Sequence, residues 1–282
     1  MAMQTQSPSE SSAMNSQSAL GARPRTDTSP AVQIFLGFLG TVFVGGVTYF
    51  LKGGKLDFIF DLINHHGPVQ YIELFMFFML VAQVVMKSRL VKEQFRVVTD
   101  NPIDPTLDFS DESQVEVLRA GIAAHRAFGQ SILLGRVDRI LAIWRATKSA
   151  DRVSTWAAAE SERDAAAADT SYSLARALIW AIPILGFIGT VQGLGQAVAG
   201  FASSVAGSSE MVQIRQSIGT MTDSLGTAFD TTFLALILVV LVMFPLVNVQ
   251  RREENLLVEI DTYLDDALIS RLPASKSLSG NL

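Results

Sequence analysis

The residues of this sequence best suited to chemistry are hydroxyls and carboxylates beside and within apolar surroundings. Thr220, Asp223, Ser224, Thr227, Asp230 and Thr231 recur at the steps that place side chains on one face of a helix. The same face continues as Leu234, Leu238, Leu241 and Pro245, so a polar stripe enters a predicted helix from one end and stops partway. Hydroxyls donate and accept hydrogen bonds without a fixed charge. Such a stripe suits the passage of protons or ordered water, as in a half-channel. Thr232 points about 100° away from Thr231, so the two adjacent threonines are expected to serve different surfaces. Asp230 begins a charge-free run that ends at Arg251. A carboxylate at the bilayer centre costs about 2.5–3.5 kcal/mol on insertion scales; at the outer interface it is an ordinary helix-start aspartate.

A second element carries the complementary pattern. In "IPILGFIGTVQGLGQAVAGF" (182–201), Gly186, Gly189, Gly193, Ala197 and Gly200 fall on one helical face. Lipid supplies no hydrophobic force between helices, and small residues let backbones approach closely. The stripe therefore reads as a helix–helix contact surface, either a seam within one subunit or a seam between subunits. Thr190 flanks it, and Gln192, Gln196 and Ser203 line an adjacent face. Pro183 removes a backbone donor and is predicted to kink this helix, and Pro245 sits inside the other.

Composition says what must hold these residues. The chain has 282 residues, is 49% hydrophobic and only 17% charged, with formal net charge -5 and mean hydropathy +0.33. Soluble domains carry about 25% charged residues, so a membrane protein is expected, and the small net charge points to no nucleic-acid partner. There are no cysteines, which excludes disulfides, thiolate metal sites and cysteine nucleophiles. Four segments are long and apolar enough to span a bilayer: Thr28 to Leu51, Gly67 to Met86, Ala177 to Ser209 and about Leu225 to Gln250. The first is too long for a signal-peptide core and has no small-x-small site after it, so it reads as a retained helix.

Lysine and arginine set the orientation. Of the 22 basic residues, only Lys52, Lys55 and Arg215 lie in the two short loops opposite the termini. Lys87, Arg89, Lys92, Arg96, Arg176, Arg251 and Arg252 crowd the other ends of the spans. Both termini are thus predicted to be cytoplasmic. The expected fold is an all-α integral membrane protein with four transmembrane helices and a helical cytoplasmic insert between helices 2 and 3. Residues 1–27 are expected to be disordered. Residues 28–87 hold helices 1 and 2 with a short outer loop, where His65 and His66 read as a polar loop rather than a metal site. The insert runs over 88–173, is broken by "NPIDP" and reopens with a capping box at Ser113 and Glu116. Residues 174–250 hold helices 3 and 4. Residues 251–282 continue as an amphipathic helix with Leu257, Ile260, Leu264 and Leu268 on one face, stopped by Pro273.

Together these motifs resemble the MotA/TolQ/ExbB proton channel family. "IPILGFIGTVQGLGQAVAGF" is similar to that family's proline-plus-GLLGTV-type helix, and "LGTAFDTTFLALILVVLVMFPL" to its threonine-bearing last helix. "GPVQYIELFMFFMLVAQVVMKSRLV" resembles an earlier family helix more weakly. The resemblance implies a bacterial inner-membrane subunit without catalytic chemistry, metal or cofactor. It implies a pentamer around two copies of a single-span ExbD-, TolR- or MotB-like partner that carries a proton-accepting aspartate. Ion flow at that interface would turn one ring against the other and do work on the cell envelope. Matched by motif, the pore-facing threonines are Thr190 and Thr232. The ExbB/TolQ branch has a glutamate five residues before the second threonine, where this chain has Thr227; its nearest acid is Asp230. That branch also has three helices. The flagellar stator branch has four but lacks a GTV motif of this sort, so the chain stands nearer ExbB/TolQ, with an added first helix.

Other classes fit the sequence less well. An enzyme is not expected, because "GTVQGLG" is neither a P-loop nor a dinucleotide turn and no catalytic constellation stands out. A non-conducting pentameric scaffold or signalling subunit is the second reading, and a flagellar-stator-like subunit a variant of the first. A substrate transporter would need more helices than this chain has.

Overall fold

The computed structural model describes residues 28–50, 62–63, 68–206 and 211–273. The expected disordered N-terminus, the loop with His65 and His66, and the tail beyond Pro273 lie outside the described residues, as does the side chain of Thr227. Among the described residues the chain is all helix. In order these are α1 (Pro30–Phe50), α2 (Pro68–Thr99), α3 (Glu112–Ala124), α4 (Ile132–Thr147), α5 (Ala150–Ser171), α6 (Ser173–Ala206) and α7 (Met211–Ala267), closed by a 3-10 turn at Ile269–Arg271. Four apolar stretches, in α1, α2, α6 and α7, are long enough to cross a membrane. Pro183 and Pro245 both lie inside continuous helices.

The helices sort into two compact units. One, the membrane unit, contains 27–90 and 169–253. Here α1 packs on α2 through two glycines: a Cβ at Gly37 would lie 2.6 Å from Met79 Cγ, and one at Gly40 2.5 Å from Phe78 Cγ. Leu80, Ile182, Ala235, Val242 and Leu246 form the core between α2, α6 and α7. A smaller cluster joins Leu62, Ile63 and Leu74 to Leu234 and Leu238. The buried face of α7 runs Leu234, Ala235, Leu238, Val242, Leu246, whereas Leu241 and Pro245, expected on that face, are exposed. The buried positions 234, 238, 242 and 246 step by four residues, more than the 3.6 of an α-helix, so the contact line drifts around the helix.

The other unit contains, among the described residues, 91–168 and 254–273. The predicted insert and the predicted amphipathic tail are therefore one folded body. Leu257, Ile260, Leu264 and Leu268 are buried in one core with Leu133, Leu134, Val137, Ile140 and Leu141 of α4. The "NPIDP" break is fixed to the same tail. Tyr263 Oη accepts from Ile103 N at 3.1 Å and donates to Asn101 Oδ1 at 2.6 Å. Arg271 donates to the carbonyls of Pro105 and Leu107. Asn101 takes a positive φ of 46°, which an asparagine tolerates at a helix end. The buried Arg136 bonds Asp164 at 2.7 Å and also Asp261 of α7.

The cap of α3 differs from the expected box at Ser113 and Glu116. Asp111 is the N-cap, and its carboxylate accepts from Ser113 N at 2.9 Å and Ser113 Oγ at 2.7 Å. An acid two residues earlier reaches the free N–H groups directly, leaving Glu116 to pair with Arg145 at 2.6 Å. The hydrogen bonds from Ser113 hold the Asp111 carboxyl below the usual carboxylate range. Its contribution to stability is complete above the unfolded value, about 3.9, and is lost as pH falls through the lower folded value. Asp111→Ala is therefore expected to lower the melting temperature of the full chain at pH 7. The difference from wild type should vanish in strong acid, as followed by circular dichroism.

Candidate functional site

The site is the seam between α6 and α7. A Cβ at Gly186 would lie 2.7 Å from Ala235 Cβ and 3.1 Å from Thr232 Cα. At Gly189 it would lie 2.8 Å from Thr231 Oγ1, and at Gly193 2.7 Å from Ala228 Cβ. Ala197 is buried on the same line. These small residues thus form a seam within one subunit, the first of the two alternatives. Gly200 stands apart, since a Cβ there would meet nothing within 4 Å. Gly193→Leu forces bulk against the backbone of Ala228, and overpacking of this kind costs about 1–3 kcal/mol. A lower melting temperature in detergent is expected, whereas Gly200→Ala should leave it unchanged.

The close approach brings three hydroxyls onto two carbonyls. Thr190 Oγ1 is 2.9 Å from Ala228 O and 3.2 Å from Gly186 O, and it also bonds Thr232 Oγ1. Thr232 Oγ1 donates to Gly186 O at 3.0 Å. Thr231 Oγ1 is 2.8 Å from Ala228 O and 3.1 Å from Gly186 O. The expectation that Thr231 and Thr232 serve different surfaces is thus corrected. They diverge around α7, but α6 lies so close that it sits between them, and both reach Gly186 O. Each hydroxyl has one proton and more than one acceptor in range, so the donor can change by rotation of a C–O bond. Thr231 is buried and Thr190 and Thr232 are half-buried.

Beyond this cluster, toward the end of α6 and the start of α7, the two helices leave a polar cleft of about 510 Å³ between them. Gln196, Gly200 and Ser203 line it from α6, and Gln213, Thr220 and Ser224 from α7. The open space at Gly200 is this cleft. Gln192 and Gln196 are both exposed, Gln196 on the cleft, and Asp230 is half-buried two residues before Thr232.

No family model, curated protein or solved structure matches this chain. The site therefore rests on its own geometry. Among the described residues no group of three His, Asp or Glu side chains is placed to hold a metal.

One buried cluster of the membrane unit escaped sequence reasoning. Lys87 Nζ donates to Glu253 Oε1 at 2.8 Å and to Oε2 at 2.9 Å, with both side chains buried. Tyr172 Oη donates to the same carboxylate at 2.6 Å, and Lys87 Nζ lies 4.6 Å from the Tyr172 ring centroid. The cluster ties α2 to α7 and to the residue that opens α6. Lys87 counted only as a topology charge, although Glu73, Leu80 and Lys87 stand at seven-residue steps and are all fully buried on α2. That spacing was the available signal.

Proposed function

We propose that the chain is the proton-conducting subunit of an ion-driven motor complex of the ExbB/TolQ kind, without catalytic chemistry of its own. The bonded hydroxyls of Thr190 and Thr232, set in a glycine seam at the foot of a polar cleft, carry this reading. In it the cleft opens outward, and the hydroxyls hand protons from the cleft toward a partner carboxylate. The complex is a pentamer of this chain in a bacterial inner membrane, with both termini and the insert unit in the cytoplasm. It surrounds a single-span partner whose transmembrane aspartate takes the proton. Apolar faces support further packing against lipid or neighbouring copies, with Trp180, Phe187 and Val191 exposed on α6 and Phe229, Phe233 and Phe244 on α7.

A second reading, a non-conducting pentameric scaffold, is favoured by one observation: every described hydroxyl of the cluster already has a backbone carbonyl to bond. The deciding experiment is purification in mild detergent with whatever co-purifies, followed by native mass spectrometry and reconstitution. Five copies with a single-span subunit and a proton flux into vesicles are expected. An assembled ring that leaves vesicle pH unchanged, with its partner present, would leave the scaffold.

A further inference from the structure

Glu73 stands in the apolar part of α2, yet it is fully buried and neither carboxyl oxygen has a hydrogen-bond partner. One turn earlier, Gln70 is also fully buried; its amide Nε2 donates to Leu62 O at 3.3 Å, while its Oε1 has no partner. Two buried acceptors thus lie on one helical face, one turn apart, with no donor for either. An ionised carboxylate without donors or a cation is among the most expensive groups to bury. One proton removes the charge and turns one acceptor into a donor. A metal cation would need a shell of about six oxygens, and the unpartnered oxygens here are three.

Among the described residues the ionisable groups around this level are few. α1 brings only Tyr49, which is exposed, and the apolar stretch of α6 brings none. α7 brings Asp230, and α2 itself Tyr71. At this level α2 packs against α7. The chain neighbour of Glu73, Leu74, packs in one cluster with Leu234 and Leu238, which are one and two turns from Thr231, or roughly 5–10 Å along the axis.

We propose that Glu73 is a proton-binding site of the membrane unit, a reversibly protonated carboxyl on α2 with Gln70 as its polar neighbour. The threonine seam is not required for this. The carboxylate takes up one proton, becomes a neutral acid, and releases the same proton without any other bond changing.

The test uses the full chain in detergent. The infrared band of a protonated carboxyl C=O should be present for the wild type and lost in Glu73→Gln, a neutral change of the same shape. Dicyclohexylcarbodiimide, an apolar reagent that adds to protonated carboxyls, should yield an adduct mapped by mass spectrometry to Glu73. That adduct should fall about tenfold for each pH unit above the group's midpoint. A band that survives in Glu73→Gln, or adducts confined to Asp230 and other carboxyls, would overturn the proposal. So would protection by sodium and not by choline, which would assign a cation instead. Should Glu73→Gln not fold, adduct mapping on the unaltered chain decides. Neither measurement needs a partner, so a chain that passes them but carries no flux would cost only the channel reading.

Discussion

Lys87→Met should be the most damaging single substitution in the membrane unit. The change preserves much of the side chain's length but removes the ammonium that Glu253 faces at 2.8 and 2.9 Å. The carboxylate left behind is buried, with side-chain exposure of 2%. Removing one partner of a buried ion pair costs about 3–5 kcal/mol, because the other charge stays desolvated. Removing both is much cheaper, since well-packed neutral groups often substitute for a buried pair at little loss. Lys87→Met with Glu253→Gln keeps an acceptor for Tyr172 Oη and should regain most of the stability. Thermal unfolding in detergent, followed by circular dichroism, checks this as a cycle of two single variants and the double. A single variant as stable as wild type, or a double variant worse than either single, would show that the pair does not clamp α2 to α7.

What was legible beforehand was periodicity, and what was not was anything set by partners distant in sequence. The glycine stripe of α6 announced a close contact, and the four apolar stretches announced themselves by length. Which helix filled the stripe depended on Ala228, Thr231 and Ala235, some forty residues away, whose fit against Gly186, Gly189 and Gly193 is a matter of packing. The orientation of Thr231 and Thr232 was read correctly around the helix axis but not across the seam, because a backbone this close can meet two diverging side chains at once. Gly200 has the right spacing for the stripe, yet α7 has already diverged at that level. The helical pattern after Arg252 was clear, but its union with the insert was not, since an amphipathic face does not name the surface it covers. In the sequence Glu73 is only a lone charge near one end of an apolar stretch. Only burial against other helices made it a group without partners.

On the proposed channel reading, Thr190→Val and Thr232→Val should each abolish proton flux through the complex while leaving the assembly intact. Valine replaces the hydroxyl with a methyl group of nearly the same size, so the fit of α6 against α7 is kept. The lost hydrogen bonds are to carbonyls that already serve the helix, and such bonds contribute about 1 kcal/mol each. That is small beside the packing of the seam, so both variants should purify as the same oligomer. The chemical loss is larger. With Thr190 Oγ1 gone, Thr232 Oγ1 keeps Gly186 O, a backbone acceptor that cannot pass a proton on. With Thr232 Oγ1 gone, the chain of hydroxyls ends at Thr190. Thr231→Val should matter less, because its described bonds are to Gly186 O and Ala228 O alone. Asp230→Asn should impair flux mildly, as expected of a charge that gathers cations at the mouth. The measurement is proton uptake by vesicles holding the chain with the proposed single-span partner, with oligomer size checked in parallel. Undiminished uptake by both Thr190→Val and Thr232→Val would remove the threonine pathway; loss of uptake together with loss of the oligomer would instead assign these hydroxyls to assembly.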